Sequence, residues 1–198
     1  MTKRGIRQLL ILSNGVFAIS FTLLVLNIDV PVDTSDTAVS ELLRSLQPEF
    51  IAFGISVFVI GIIWRNHQGL FNEFSDVDTT LIWLNIFYLA AVALIPFPNR
   101  LLSQHQADPL AYVVFALLLI VIFSLDALML IYAKHAGLLH VGMRIGGEYR
   151  AELYRSLVSI LIFGASIPLA FILVAWTPFV WILSLFADYL LVSIIFSE

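Results

Sequence analysis

Long apolar segments alternate with short polar segments along the whole chain. Six of the apolar segments are long enough, at about 1.5 Å per residue, to cross the hydrocarbon core of a bilayer as helices. The first would reach roughly 31 Å. The pattern therefore predicts an all-α membrane protein with six transmembrane helices, forming one six-span domain over residues 1–198. The predicted spans are residues 8–28, about 50–66, about 80–97, about 110–133, about 156–175 and about 178–196.

Turn and capping residues mark the ends of several predicted helices. Residues 38–46 favour a short amphipathic helix inside the first loop. Thr79 or Thr80 is expected to cap the third span, and the Pro-Phe-Pro sequence at residues 96–98 is expected to end it. The Asp108-Pro109 pair is a favourable helix start and places the beginning of the fourth span.

The basic residues are distributed unequally between the two sides that these spans define. An even number of spans puts both termini on one side of the membrane. That side carries eight basic residues and the opposite side carries two, so the positive-inside rule predicts that both termini are cytoplasmic. The eight are Lys3, Arg4, Arg7, Arg65, Lys134, Arg144, Arg150 and Arg155, and the two are Arg44 and Arg100.

Composition narrows the class further. The chain is 61% hydrophobic and 12% charged, far from the quarter charged that soluble domains carry, and its mean hydropathy is +1.00. It contains no cysteine, which excludes disulfides and thiolate metal sites. The loops are too short to hold a large catalytic domain, no hydrolase motif is present, and the histidines lack ligand spacing. We therefore expect neither an enzyme nor a metal or nucleic-acid-binding protein.

The first span carries a stripe that is apolar except for a few small or polar residues. On a helical wheel centred on Ile19, the residues within about 60° are Gln8, Leu12, Gly15, Thr22, Leu23 and Leu26. Asn14 lies on nearly the opposite side and is expected to face other parts of the protein. The stripe has two interpretations. It is either a packing seam between helices or a hydrophobic constriction repeated around a pore.

Two carboxylates fall inside predicted spans, namely Asp126 in the fourth and Asp188 in the sixth. Intramembrane carboxylates are candidates for function, although a position near the cytoplasmic interface or a bond to a neighbouring helix is the favoured explanation for both. His67 and Trp64 near the end of the second span are candidates for a hydrogen-bond network between subunits, or for an ordinary membrane interface.

Several motifs together resemble one known family. The run LSNGVFAISFTLLVLNIDVP of the first span is similar to the first-helix signature of the transmembrane protein 175 family, the endosomal and lysosomal potassium channels and their prokaryotic homologues. Later positions agree with the same family over roughly residues 8–100. They are Gly61, Trp64, His67, Leu70, Phe71, Asp78, the Leu84-Asn85 pair and the run from Leu94 to Pro98.

The resemblance implies a homotetrameric cation channel in which four first helices surround the pore. It implies a constriction at Ile19, Leu23 and Leu26, with a selectivity-related hydroxyl on Thr22. It further implies permeant K⁺ rather than a cofactor, lipid and monovalent cations as partners, and a prokaryotic plasma membrane as the location. The implied function is a potassium-permeable cation channel that conducts passively.

The chain also departs from the family signature. Gln8 stands where the family has arginine, Leu12 where it has phenylalanine, and Asn14 where it has aspartate. The arginine and the aspartate are both replaced by neutral residues, which is consistent with their acting as a pair, since either charge alone would remain unpaired. We expect a polar network that is either weakened or rebuilt with amides, formed by Gln8, Ser13, Asn14, Trp64 and His67. A proton- or cation-coupled secondary transporter using Asp126 or Asp188, and a non-conducting membrane scaffold, remain the alternatives.

Overall fold

The structure is a computed structural model that describes residues 3–30, 38–145, 148–177 and 179–181. Helices account for nearly all of these residues. The main α-helices in these ranges are α1 (Lys3–Val25), α2 (Val39–Ser45), α3 (Gln47–Asn72), α4 (Thr79–Ala93), α5 (Pro96–Gln104), α6 (Pro109–His135), α7 (Val141–Ile145) and α8 (Glu148–Ile172). A short 3₁₀-helix, Val174–Trp176, follows α8.

Five helical segments in the described ranges are long and apolar enough to cross a membrane, which makes this a multi-pass membrane protein. They are Gly5–Val25, Gln47–Asn72, Thr79–Gln104, Pro109–His135 and Glu148–Ile172. These segments correspond to the first five predicted spans. The sixth predicted span, residues 178–196, lies outside the described residues except for 179–181, and Asp188 lies outside them as well.

The cap of α4 differs from the prediction. Asp78, rather than Thr79 or Thr80, is the N-cap residue, and its Oδ1 accepts a hydrogen bond of 2.9 Å from the backbone N–H of Leu81. Its other oxygen, Oδ2, accepts a hydrogen bond from the hydroxyl of Tyr132 in α6. A carboxylate can satisfy a helix N-terminus and a second donor together, because each of its oxygens accepts independently.

The third span also continues past the point where it was expected to end. Residues 96–98 do not stop the helical backbone. Pro96 instead begins α5, which runs to Gln104 after a short break. Proline lacks an N–H group and therefore fits the first turn of a new helix. The hydroxyl of Ser56 donates to Oδ1 of Asn99 over 2.7 Å, in a buried contact between α3 and α5.

The two loops at the ends of α3 and α6 are joined to each other. Phe74 and Leu139 form an isolated antiparallel bridge, and both the backbone N–H and the hydroxyl of Ser75 donate to the carbonyl of Leu138. Gly137 has a φ of 72°, a left-handed conformation that glycine adopts without a steric penalty. This turn directs the chain back toward the α3–α4 loop.

The same α3–α4 loop also contacts the beginning of α1. A Cβ atom on Gly5 would lie 3.0 Å from Cγ2 of Val77, so the helix approaches this loop closely where it has no side chain. The backbone N–H of Val77 donates to Asp76 over 2.8 Å, which lowers the pKa of that carboxyl. The loop thereby fixes one end of α1.

Candidate functional site

One face of α1 packs against the rest of the chain. Its buried residues recur at intervals of three or four, which is the spacing of one helical stripe. They are Leu9, Ser13, Phe17, Ser20 and Leu24. This face contacts α3, α4 and α5. The side chain of Ser20 donates to the carbonyl of Val16 in its own helix and lies 3.4 Å from the carbonyl of Val92 in α4.

The opposite face of α1 is left uncovered by the rest of the chain. Ile19 is 58% exposed, Leu23 is 40% exposed and Leu26 is 69% exposed. Gly15 leaves open space on this helix, since a Cβ atom there would meet nothing within 4 Å. The uncovered stripe of α1, defined here as Ile19, Thr22 and Leu23 with Leu26 in the turn that follows, contains four of the seven residues that the helical wheel brought together.

Thr22 is the polar member of the uncovered stripe. Its hydroxyl donates a hydrogen bond of 2.8 Å to the backbone carbonyl of Ile19, one turn earlier. This bond uses the only proton of the hydroxyl, so the oxygen retains acceptor capacity for water or a cation. The side chain is exposed in the single chain. Among these four residues, a hydroxyl oxygen is therefore presented within an otherwise apolar surface.

Asn14 joins α1 to α3. Its Oδ1 accepts a hydrogen bond of 2.9 Å from Nε1 of Trp64 and another of 2.6 Å from Nε2 of Gln68. Trp64 and Gln68 lie four residues apart and therefore share a face of α3. Gln68 was not singled out from the sequence, although its i, i+4 relation to Trp64 was a usable signal. The three side chains form an exposed amide cluster at the edge of the α1–α3 contact.

Ser13 belongs to a second, separate network that is buried. Nε2 of His67 lies 2.9 Å from Oδ1 of Asn85 in α4, and Nδ2 of Asn85 donates to the hydroxyl of Ser13 over 3.4 Å. All three side chains are fully buried within one chain. The expectation that His67 joins a network between subunits is therefore corrected, since no surface of the ring is available to a neighbour.

Aromatic rings surround His67. The ring stacks at a centroid distance of 4.3 Å on Phe71 and of 5.0 Å on Tyr88, and Phe17 of α1 approaches it edge-on at 5.6 Å. Trp64, which the sequence placed beside His67, bonds Asn14 instead. The predicted network thus divides into two parts. Gln8 is exposed and no hydrogen bond joins it to either part within the described residues.

Asp126 lies between α6 and α8. The hydroxyl of Ser156 donates to its Oδ2 over 3.0 Å, whereas Oδ1 is buried without a hydrogen-bond partner in the described part of the chain. This bond is the structural role that the sequence left open for Asp126. No group of three or more histidine, aspartate or glutamate side chains that could hold a metal occurs in the same described ranges.

These features define the class of the protein, a multi-pass membrane protein whose first helix presents a largely apolar stripe with one hydroxyl. The model of a family described as the endosomal/lysosomal potassium channel TMEM175 matches residues 8–96. The sequence of residues 8–96 is therefore similar to the TMEM175 family, and the resemblance seen in the sequence is confirmed. That family is a channel family and not an enzyme family.

Bacterial relatives extend this finding. The chain is 36% identical over 112 residues to a protein of Streptomyces collinus named as a potassium channel, and the match covers 54% of each chain. It is 39% identical over 105 residues to a potassium channel of Chamaesiphon minutus, covering 51% of each. The chain thus spans about half the length of the curated relatives that it matches.

A solved structure is similar over nearly the whole chain. It is the crystal structure of a lysosomal potassium-selective channel TMEM175 homolog from Chamaesiphon minutus, with a TM-score of 0.83 and 25% identity. The similarity covers 96% of this chain and 99% of that chain. The helical arrangement described above is therefore that of a known channel fold.

Proposed function

We propose that this protein is a potassium-permeable cation channel that conducts passively. In this proposal it is a homotetramer of six-span subunits, each one domain over residues 1–198. Four copies of α1 surround the pore. The observation that carries the proposal is the uncovered stripe of α1, which the rest of the chain leaves exposed while it buries the opposite face. Both termini are proposed to be cytoplasmic, in a prokaryotic plasma membrane.

The uncovered stripe suits a hydrophobic constriction better than a lipid-facing surface. Ile19, Leu23 and Leu26 would each form a ring of four apolar side chains, and such rings control permeation by narrowing a pore and excluding water. A lipid-facing surface gains nothing from the exposed Gln8 and Thr22 on the same side of the helix. A pore provides water for both polar groups.

Thr22 lies within the proposed constriction and supplies its oxygen. Because its proton is donated to the Ile19 carbonyl, the hydroxyl oxygen is oriented as an acceptor. Four such oxygens would partly replace the water that K⁺ loses at the apolar rings. The chain has no TVGYG-type filter, so selectivity by a cage of backbone carbonyls is not available to it.

The two polar networks hold α1 in place without buried charge. Asn14 joins α1 to α3, and Ser13 joins it to α4 through Asn85. Neutral amides perform the bonding that a charged pair would otherwise perform, and they avoid the cost of burying an unpaired charge. This supports a conducting protein despite the departures at positions 8 and 14.

Ion flux from liposomes tests the proposal. Purified protein is reconstituted, and efflux of K⁺, Na⁺, Cs⁺ and H⁺ is measured separately. We expect K⁺ efflux from the wild type and faster efflux from Ile19→Asn, because a polar ring hydrates the constriction. Thr22→Ala is expected to reduce the preference for K⁺ over Na⁺.

Leu161→Asn is the matched control for this experiment. It makes the same kind of change at a residue of α8 that is 70% exposed. Its flux should equal that of the wild type. Equal flux from Ile19→Asn and wild type would reject the pore assignment, and absence of flux from every protein would favour a membrane scaffold that does not conduct.

The second candidate is a proton- or cation-coupled transporter that uses Asp126. The observation in its favour is the buried Oδ1 atom that has no hydrogen-bond partner in the described ranges. A transporter predicts saturable uptake that depends on a second gradient and is lost in Asp126→Asn. A channel predicts flux that rises linearly with driving force and persists in that variant.

A further inference from the structure

An open apolar groove lies where α2 meets α3, on the side of the membrane opposite to the beginning of α1. Its volume is about 460 Å³, and its lining residues are Leu43, Arg44, Gln47, Phe50 and Ile51. Leu46 joins the two helices in a right-handed helical conformation, so the backbone continues almost without interruption. Leu43, Gln47 and Ile51 are four residues apart and form a single row along it.

The groove lies at the boundary between water and lipid. α2 contains no buried residue, and its apolar Val39 and Leu43 are 70% and 54% exposed. A short helix with uncovered apolar side chains beside the start of a membrane span is typical of an interfacial helix. Phe50 and Ile51 follow Gln47 by three and four residues along α3, so they lie about one turn deeper than Gln47.

The polar and apolar lining residues follow one another along the groove in the same order as the headgroup and acyl chains of a phospholipid. Arg44 and Gln47 supply hydrogen-bond donors at the level of the headgroup, and Phe50 and Ile51 supply an apolar surface below them. No described residue forms an ion pair or hydrogen bond with the Arg44 side chain, which is exposed. Arginine binds phosphate through two parallel hydrogen bonds and is therefore suited to this position.

Glu41 lies outside the lining of the groove but next to Arg44, where it affects which headgroup can bind. It lies three residues before Arg44 on α2, on the same side of that helix. A purely anionic headgroup would meet an acidic side chain beside the arginine. A headgroup with a phosphate and a primary amine complements both residues, because the amine can donate hydrogen bonds to the glutamate carboxylate.

We propose that this groove binds phosphatidylethanolamine. Arg44 and Gln47 bind the phosphate, Glu41 binds the ammonium group, and one acyl chain lies along Phe50 and Ile51. The site is independent of the proposed conduction pathway, since none of these residues belongs to the uncovered stripe of α1. Lipid binding and ion flux can therefore succeed or fail separately.

Native mass spectrometry of the full chain in detergent tests the proposal by titration with dioleoyl phosphatidylethanolamine. We expect saturable binding that is about tenfold weaker in Arg44→Gln, because one charge-assisted contact to phosphate is lost. Phosphatidylcholine, whose quaternary amine cannot donate hydrogen bonds, should bind less tightly than phosphatidylethanolamine. Glu41→Gln should remove that difference.

Arg100→Gln is the matched control, since Arg100 is an exposed arginine of α5 that does not line the groove. It should bind the lipid as the wild type does. Equal binding by the Arg44 and Arg100 variants would overturn the proposal, as would tighter binding of phosphatidylglycerol than of phosphatidylethanolamine. A change in subunit number in Arg44→Gln would assign the groove to a contact between copies of the chain and would also overturn it.

Discussion

Adjacent polar residues on α1 have different partners. Ser13 faces the buried network of His67 and Asn85, whereas Asn14, one position further, accepts bonds from α3 at the edge of the contact. A step of about 100° per residue explains the separation. The sequence indicated which side of the helix each residue occupies. The family resemblance grouped both residues with Trp64 and His67, but the sequence could not assign a partner to each, because the partners lie 50 or more positions away in the chain.

Asn14→Ala is expected to destabilise the protein by about 1 kcal/mol, because hydrogen bonds between membrane helices are worth about 0.6 kcal/mol each. Two such bonds end on this side chain. The measurement is thermal unfolding of the detergent-solubilised protein.

Asn14→Asp is the matched variant, because a carboxylate still accepts from both donors. It should retain most of the stability that the alanine variant loses. If both variants unfold at the wild-type temperature, the amide cluster does not stabilise the α1–α3 contact.

At the scale of elements, the sequence offers several neighbouring residues that could each cap the beginning of α4. Asp78, Thr79 and Thr80 are all good N-cap residues, so the sequence could place the helix start only to within a few positions. In the structure, Asp78 is the N-cap residue, and the same side chain also accepts a hydrogen bond from Tyr132, 54 residues away. The sequence predicted that Pro96 would end the span, whereas it begins α5, because proline can both end and begin a helix.

Asp78→Ala is expected to lower the free energy of unfolding by about 1–2 kcal/mol, because α4 loses its cap and Tyr132 loses its acceptor. Thr79→Ala changes the neighbouring capping candidate and should have a much smaller effect. Equilibrium unfolding in detergent and denaturant compares them. A larger loss in Thr79→Ala would contradict the observed cap.

At the scale of the whole molecule, hydrophobic length predicted five of the spans that the structure describes, because each must cross a bilayer of fixed thickness. The uncovered stripe was equally accessible from the sequence, since helical periodicity alone brings Ile19, Leu23 and Leu26 together. The division of the polar residues into two networks was not accessible, because it depends on how three helices pack.

The proposed orientation predicts which positions are accessible from outside the cell. The chain contains no natural cysteine, so a single introduced thiol reports its own position without background. Ser45→Cys at the end of α2 should react with a membrane-impermeant maleimide in intact cells. Ser75→Cys in the α3–α4 loop should react only after the membrane is permeabilised. The reverse pattern would place both termini outside.

The central claim is that the uncovered stripe of α1 lines an ion-conducting pore that water and cations can enter. The most direct measurement is channel current in the single-cysteine variants Leu23→Cys and Leu24→Cys, before and after a cationic methanethiosulfonate reagent. The two leucines are adjacent, but Leu23 is 40% exposed and Leu24 is fully buried. The reagent reacts with ionised thiols, which require water, so a lipid-facing cysteine would also be protected. We predict that the reagent blocks current through Leu23→Cys and leaves Leu24→Cys unaffected. Block of Leu24→Cys alone, or of neither variant, would contradict the account.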